Sequence, residues 1–182
     1  TGASAGSPVS DGPSWRVPIG EGTGRSLQAQ RVVVAANGFA GRLLDVPVRP
    51  ARGLILVSRP LTDLRWKGVF HYNKGYVYYR HLPDGRLLLG GARDVDPVGE
   101  ETADHGSNPA IRAWLTEFAE QVLRVPLADL MDMEWSGTMG FTDLKEPLCL
   151  EAAPRLWCLA GMSGIGVSLG MQAAWDLVEA ME

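Results

Sequence analysis

Apolar positions along the chain form several short runs that are typical of strands. The run Val32-Val33-Val34-Ala35-Ala36 is continuous and β-branched, which favours a strand that is buried on both faces. Pro83-Asp84-Gly85 predicts the turn of a hairpin, because an Asp-Gly pair readily supplies positive φ. Further strands are predicted at residues 15–19, 53–57, 75–80, 86–91 and 156–160.

Two segments have helical periodicity instead. Asn108 and Pro109 suit the cap and first turn of a helix over residues 108–124. One face of this helix carries Ile111, Trp114, Leu115, Phe118 and Val122. A second helix is predicted over residues 167–181, and its apolar stripe consists of Val167, Met171, Ala174, Val178 and Met181. Stripes of this spacing are typical of helix faces that pack on a core.

The start of the chain has a different composition. Residues 1–14 are mainly Gly, Ser, Pro and Ala, which predicts a flexible terminus or linker. They contain neither the basic nor the apolar region of a signal peptide. Because the first residue is not Met, we expect the sequence to begin within a longer protein.

Composition and charge exclude several classes of function. Of the 182 residues, 46% are hydrophobic and 21% are charged, and the mean hydropathy is −0.02, as in globular proteins. The net charge of −4 gives no general attraction to nucleic acid or to an anionic membrane. No apolar stretch approaches the about 18 to 20 residues of a membrane span.

The cysteines and histidines indicate neither a disulfide framework nor a metal site. Cys149 and Cys158 flank a predicted turn and could face each other across a hairpin, but two free thiols are expected rather than a redox pair. Free thiols favour a cytoplasmic location. The three histidines are not spaced as metal ligands.

Residues 159–166, with the sequence Leu-Ala-Gly-Met-Ser-Gly-Ile-Gly, form the most informative local pattern. A strand runs into closely spaced glycines and then into a helix, whose first N–H groups suit a phosphate or a polarised carbonyl. The dinucleotide fingerprint G-x-G-x-x-G does not fit, because counting from Gly164 the third glycine, Gly170, comes one residue late. From these residues alone, a ligand-binding turn and a plain glycine-rich turn are both open.

Five motifs occur in a fixed order over residues 15–182. They are a strand ending in Ala36-Asn37-Gly38, the entry strand Val48-Arg49-Pro50-Ala51-Arg52-Gly53, the hairpin from Tyr78 to Gly91, the segment from Trp135 to Asp143 with Pro147, and the closing residues 161–166. This order resembles the C-terminal half of the D-amino-acid oxidase superfamily of FAD-dependent oxidoreductases, which includes glycine oxidase, sarcosine oxidase and D-amino-acid dehydrogenase.

The resemblance implies a mixed α/β (α+β) fold in two parts. Residues 15–47 and 147–182 would form the C-terminal part of an FAD-binding Rossmann-like domain. Residues 48–146 would form a mixed, largely antiparallel β substrate domain with a covering helix. The family's N-terminal βαβ unit, which binds the FAD pyrophosphate through G-x-G-x-x-G, lies outside this sequence. The implied partner is therefore the missing N-terminal half of the same protein.

The resemblance also implies an activity. The whole protein would oxidise the C–N bond of a small-molecule amine or amino acid by hydride transfer to FAD, giving an imine that hydrolyses. This chain alone would be inactive. Two alternatives remain open: a truncated, catalytically inactive fragment that binds no flavin, and a subunit or binding module that needs another chain to complete the flavin site.

The resemblance places the cofactor contacts at strand ends and in the closing residues. The flavin pyrimidine ring would lie at the N–H groups of residues 161–166, where fixed dipoles stabilise the negative charge that it gains. The candidate cofactor-binding residues are Gly38, Arg52, Gly137, Gly161, Met162, Ser163, Gly164, Ile165 and Gly166. No catalytic side chain and no metal ligand is assigned.

The candidate substrate-binding residues are Tyr76, Tyr78, Arg80 and Met139. Tyr76 and Tyr78 would share one strand face, although ordinary hairpin packing is the alternative reading. Met139 occupies the position of the arginine that clamps the substrate carboxylate in glycine-oxidase-like members, and Ser168 that of a lysine in sarcosine-oxidase-like members. The clamp would then be absent, or another arginine would replace it: Arg49, Arg52, Arg80 or Arg93.

Overall fold

The computed structural model describes residues 2–62, 64 and 66–181. The chain divides into two compact units. The terminal unit comprises Thr1–Pro50 and Met139–Glu182, and the central unit comprises Ala51–Thr138. The sequence analysis set these boundaries at residues 48 and 147, and the assignment of the two units to flavin and substrate stays a prediction. The arrangement of strands and helices confirms the mixed α/β (α+β) fold.

A five-stranded sheet forms the centre of the central unit. Its strand order is β6-β7-β8-β5-β9. In chain order the strands are β5 (Arg49–Ser58), β6 (Val69–Tyr72), β7 (Val77–His81), β8 (Leu87–Gly91) and β9 (Met131–Phe141). The predicted hairpin is confirmed, since β7 and β8 pair antiparallel with Arg80 opposite Leu88. Strand β6, which pairs with β7, was not predicted.

Helix α2 (Pro109–Phe118) covers one face of this sheet. Its cap is the predicted one, because Asn108 Oδ1 accepts hydrogen bonds from the N–H groups of Ala110 and Ile111. The predicted apolar face is buried at Ile111, Leu115 and Phe118, together with Leu54, Leu56, Leu87 and Leu89 of the sheet. Burial of such side chains contributes about 1.5–3 kcal/mol each, so this cluster is the main core of the unit.

A π-helical turn follows α2 and corrects one prediction. Residues Ala119–Leu123 form a turn of wider pitch, and Arg124 ends it in the left-handed conformation at φ 60°. A wider turn rotates the following side chains off the helical stripe. Val122 was predicted on the buried face, but its side chain is 55% exposed. The short helix α3 (Leu127–Leu130) then leads into β9.

The terminal unit contains two three-stranded sheets. The first has the order β1-β2-β3, and its strands are β1 (Val9–Asp11), β2 (Ser14–Ile19) and β3 (Arg25–Ala29). Strand β1 pairs antiparallel with β2, so the reading of residues 1–14 as a flexible linker is wrong for this segment. The second sheet has the order β10-β11-β4, and its strands are β4 (Val32–Val34), β10 (Leu148–Ala153) and β11 (Leu156–Ala160).

Strand β4 differs from its prediction. It pairs in parallel with β11, and in the described part of the chain β11 is its sole partner. Val34 is 6% exposed but Val33 is 40% exposed. Burial on both faces was therefore wrong for this strand, because the unit covers the Val34 face alone. A short helical turn (Asn37–Phe39) and helix α1 (Ala40–Leu43) follow it.

Helix α4 (Gly166–Ala180) has apolar residues on two sides. Ala173 and Leu177 are buried and pack with Leu159 of β11. Most of the predicted stripe lies on the other side, where Val167, Met171 and Val178 are exposed. The prediction found the apolar spacing but did not show which side packs on β11, since spacing alone cannot distinguish two apolar faces of one helix. No described helix is both long and apolar enough to cross a membrane.

The two cysteines do not face each other. In the β10–β11 pair Cys149 lies opposite Leu159, and Leu150 lies opposite Cys158. Because neighbouring residues of a strand point to opposite faces, the two sulfurs lie on opposite sides of the sheet. Both are free thiols. Burial raises the pKa of Cys158, and partial desolvation raises the pKa of the more exposed Cys149.

Gly90→Ala should destabilise the chain because there is no room for a side chain on that face of β8. A Cβ at Gly90 would lie 2.6 Å from Ile55 Cδ1 and 2.9 Å from the Leu54 carbonyl oxygen. We expect a loss of about 1–3 kcal/mol of unfolding free energy in urea titrations. The matched control is Gly137→Ala in β9, where a Cβ meets no atom within 4 Å. Equal stability of the two variants would contradict this account.

Candidate functional site

The closing turn (residues 161–166) lies where two other backbone segments of the terminal unit come close. The Ser163 N–H donates to the Gly140 carbonyl at 2.8 Å. The Met162 N–H donates to Asn37 Oδ1 at 3.3 Å. The turn itself contains two positive-φ glycines, Gly161 at 69° and Gly164 at 87°. The ends of β4 and β9 are thereby joined to the start of α4.

This junction has no space for additional side chains. A Cβ at Gly140 would lie 2.7 Å from Asn37 Oδ1 and 2.9 Å from the Gly38 nitrogen. A Cβ at Gly161 would lie 2.5 Å from Thr142 Cγ2. Glycine is therefore required at both positions for steric reasons, and at Gly161 for backbone reasons as well.

Within residues 162–167, three backbone N–H groups have no partner among the described residues: those of Gly164, Gly166 and Val167. They lie at the start of α4, where the helix dipole is positive. A Cβ at Gly164 would contact only Met139 Sδ within 4 Å, at 3.8 Å. The turn therefore offers unpaired donors, a bare backbone and no acidic side chain, which fits a ligand atom that carries negative charge.

The structure brings several predicted site residues together. Gly38, Met139 and the closing turn all belong to the junction. Asn37 and Gly140 belong to it too, but the sequence analysis did not single them out. Their signal was weak: Asn37 has φ 44°, a conformation that Asn adopts more readily than most residues, within an Ala-Asn-Gly sequence that also suits a plain turn.

Arg52 lies in the central unit and is held by a buried carboxylate. Its Nη2 and Nε donate to Glu100 Oε1 at 2.7 and 3.1 Å. Glu100 is 0% exposed and the Arg52 side chain is 14% exposed. The hydrogen bond to Glu100 raises the pKa of the guanidinium despite its burial. These contacts join β5 to the loop before α2, and the predicted role of Arg52 toward a cofactor stays a prediction.

The same network fixes the start of α2. Asn108 Nδ2 donates to Glu100 Oε1 at 3.1 Å and to Asp96 Oδ2 at 2.8 Å. The hydrogen bond from Asn108 lowers the pKa of Asp96, with a further contribution from the Gly99 N–H. The ion pair and the helix cap are therefore parts of one hydrogen-bonded cluster.

The predicted substrate residues of the hairpin do not form one row. Tyr76 lies before β7 in a helical conformation, so strand alternation does not place it with Tyr78. Tyr78 is mostly buried, and burial raises its pKa. Arg80 is exposed and follows Tyr78 on the same strand face. Gly137 lies in β9, with open space at its Cβ position.

The candidate arginines differ in their partners. Arg49 pairs with Asp143 at 2.5 Å, and Arg52 pairs with Glu100. Among the described residues Arg80 has no ion pair or hydrogen bond through its side chain. Within that same part of the chain, no three His, Cys, Asp or Glu side chains are grouped to hold a metal ion.

A cleft of about 970 Å³ opens in the central unit, and its lining does not include the predicted substrate residues. One wall consists of Trp66, Phe70 and Tyr79, whose ring centroids lie 5.1–5.3 Å apart. Leu123 and Val125 line the other side. The sequence analysis missed this cleft, because its aromatic rings come from a loop and two strands that no single periodicity connects.

Comparisons with known proteins complete the description. A profile of the FAD dependent oxidoreductase family matches residues 4–180. A Rhizobium meliloti (strain 1021) protein named "Probable oxidoreductase OrdL" is 31% identical over 161 residues, which are 82% of this chain and 35% of that protein. The chain therefore spans about a third of that relative's length.

Two solved structures have the same fold. Glycine oxidase from Geobacillus kaustophilus superposes with a TM-score of 0.77 at 21% identity, over 98% of this chain and 48% of that one. Dithionite-reduced L-alpha-glycerophosphate oxidase from Mycoplasma pneumoniae, with FAD bound, superposes with a TM-score of 0.75 at 15% identity. The superposition covers 97% of this chain and 49% of that one. The chain spans about half the length of each.

Glu100→Ala should destabilise the central unit strongly, because it leaves the Arg52 charge buried without its partner. We expect a loss of about 3–5 kcal/mol in urea unfolding. Glu120→Ala, at an exposed position of the π-helical turn, should change stability by less than about 0.5 kcal/mol. A Glu100 variant as stable as the Glu120 variant would show that the buried pair contributes little.

Proposed function

The chain belongs to the family of FAD dependent oxidoreductases, and from this membership we propose that it is part of an enzyme that oxidises a C–N bond of a small amine or amino acid. The observation that carries the proposal is the closing turn, with unpaired N–H groups at Gly164, Gly166 and Val167. The resemblance to glycine oxidase in fold supports the choice of a C–N bond.

The residues of the closing turn fit a flavin ring edge. Bound FAD would supply the acceptor for the hydride removed from the substrate carbon next to nitrogen. The N–H groups and the positive end of α4 would hold the ring's carbonyl edge and stabilise negative charge there. The turn contains no acid or base, so its contribution is binding and fixed electrostatics rather than proton transfer.

The partners of the arginines suggest how a substrate would be held. Arg49 and Arg52 are occupied by carboxylates and Arg93 also has a partner, which makes Arg80 the candidate for a substrate carboxylate. Tyr78 lies on the same strand face, and its neutral phenol, whose pKa burial raises, would be a hydrogen-bond donor. In the terminal unit, Met139 would give the junction an apolar surface without charge, and its proposed role toward substrate is separate from that of Arg80 and Tyr78.

We infer that a further polypeptide segment, the N-terminal half of a longer protein, completes the flavin site. Two surfaces of the terminal unit support this. The outer face of α4 exposes Val167 at 104%, Met171 at 81% and Trp175 at 65%. Strand β4 offers an edge that no described strand occupies. A parallel strand and a packed helix would bury both surfaces.

We also propose that the protein is cytoplasmic. Cys149 and Cys158 are free thiols, and Cys149 is exposed. A reducing compartment maintains exposed thiols in this state, whereas an oxidising one favours disulfides.

The proposal is tested by flavin content and substrate class. The 182-residue chain should stay colourless with added FAD, because part of the site is missing. A longer polypeptide that includes the preceding segment should purify yellow, and its flavin should be bleached anaerobically by amines or amino acids. A longer polypeptide that holds no flavin, or whose flavin is bleached by glycerol 3-phosphate and by no amine, would refute the proposal.

The variant Met171→Lys provides a control for the outer face of α4. In the 182-residue chain it should leave urea unfolding unchanged, because the side chain is already exposed. In the longer polypeptide it should lower flavin content, since a lysine would then be buried. Unchanged flavin content would show that this face is not covered.

Gly164→Val should weaken flavin binding in the longer polypeptide. A branched side chain would occupy the open side of the turn at a φ of 87°, where β-branched residues are strained. We expect FAD affinity to fall about tenfold or more, which corresponds to about 1.4 kcal/mol. Gly24→Val, at φ 66° and with open space at its Cβ position in the turn before β3, is the matched control. Equal flavin affinity in the two variants would exclude the closing turn from the cofactor site.

A further inference from the structure

We propose that Asn37 is a positioning residue that sets the closing turn for the flavin; this inference rests on the proposed function. Asn37 follows β4 and lies 125 residues before its hydrogen-bond partner, Met162. Its Oδ1 accepts from the Met162 N–H, the second residue of the turn. A single side chain therefore ties the end of the parallel strand to the turn that begins α4.

The surroundings of Asn37 determine where its side chain points. Its backbone has φ 44°, which disfavours most other side chains at this position. Gly140 packs against the amide so closely that a Cβ there would lie 2.7 Å from Oδ1. The acceptor is thus held in place from both sides, by its own backbone and by β9.

The hydrogen bonds divide the N–H groups of residues 162–167 into two sets. Those of Met162, Ser163 and Ile165 are consumed internally, by Asn37 Oδ1, the Gly140 carbonyl and the Met162 carbonyl. Those of Gly164, Gly166 and Val167 remain for a ligand. Without Asn37 the Met162 N–H would lose its partner, and the turn would no longer be fixed to β4. The N–H groups of Gly164, Gly166 and Val167 would then no longer be held in fixed directions.

The Asn37 side chain is also suited to this position because it accepts a hydrogen bond without carrying a charge. A carboxylate at this position would still accept the Met162 N–H, but it would place a negative charge beside donors that serve an electron-rich ligand. The variant Asn37→Asp therefore keeps the hydrogen bond and changes only the charge. The variant Asn37→Gly removes the hydrogen bond and keeps the backbone conformation, because glycine adopts φ 44° without strain.

The experiment compares Asn37→Ala, Asn37→Gly and Asn37→Asp. In the 182-residue chain, the amide hydrogen of Met162 should exchange about tenfold faster in the Asn37→Ala and Asn37→Gly variants, because each loses one net hydrogen bond. In the Asn37→Asp variant the exchange should stay slow. In the longer holoprotein, Ala and Gly should weaken FAD binding about tenfold. Asp should retain the flavin but make its reduction potential more negative, since reduction adds negative charge near a carboxylate.

Asn73→Ala is the matched control. Asn73 also has a left-handed backbone, at φ 49°, and also hydrogen bonds through its side chain, but it lies in the central unit with Asp94 as its partner. It should alter neither Met162 exchange nor flavin properties.

Two outcomes would overturn the inference. One is an Asn37→Gly variant with slow Met162 exchange and normal FAD affinity, since the role would then be conformational alone. The other is an Asn37→Asp variant with an unchanged reduction potential. Failure of the proposed function is distinguishable, because there the wild-type longer polypeptide would itself hold no flavin.

Discussion

The terminal unit depends on one close approach between backbones, at Gly140. Its carbonyl accepts the Ser163 N–H, while its missing side chain leaves room for the Asn37 amide. The strand that ends at Phe141, the turn after β4 and the start of α4 can meet only because this residue is glycine. The unpaired donors of the closing turn follow from the same contact, since it sets which N–H groups are used internally. The proposed ligand site would thereby depend on packing rather than on reactive side chains.

Local patterns predicted the elements that depend on local interactions. The β7–β8 hairpin follows from Asp84-Gly85, and the cap of α2 follows from Asn108, because turns and caps are set by a few neighbouring residues. The incorrect predictions concern whether a given side of a helix packs on the protein or faces solvent. Spacing could not show which apolar side of α4 faces β11, nor that the π-helical turn moves Val122 into solvent. Both depend on tertiary packing.

For the candidate site, too, the sequence predicted local motifs but not the long-range partners of side chains. The order and identity of the motifs identified the family, whereas the closing turn stays a predicted cofactor site. The sequence could not distinguish a free arginine from a paired one, because the partners of Arg49 and Arg52 lie 94 and 48 residues away. Asn37 was missed for the same reason, since its side-chain acceptor matters only once Met162 is next to it.

The order of the two units along the chain has a consequence for folding. The central unit is contiguous, whereas the terminal unit needs β4 and β11, whose parallel pairing joins Val32 to Leu156. During synthesis the central unit is complete before β11 has been made, and closing so long a loop is slow. The central unit should therefore act as an early nucleus, with the closing turn assembled last. Under the proposed function, cofactor capture would then be a late step of maturation, because it depends on β11 and α4, which are synthesised after the central unit.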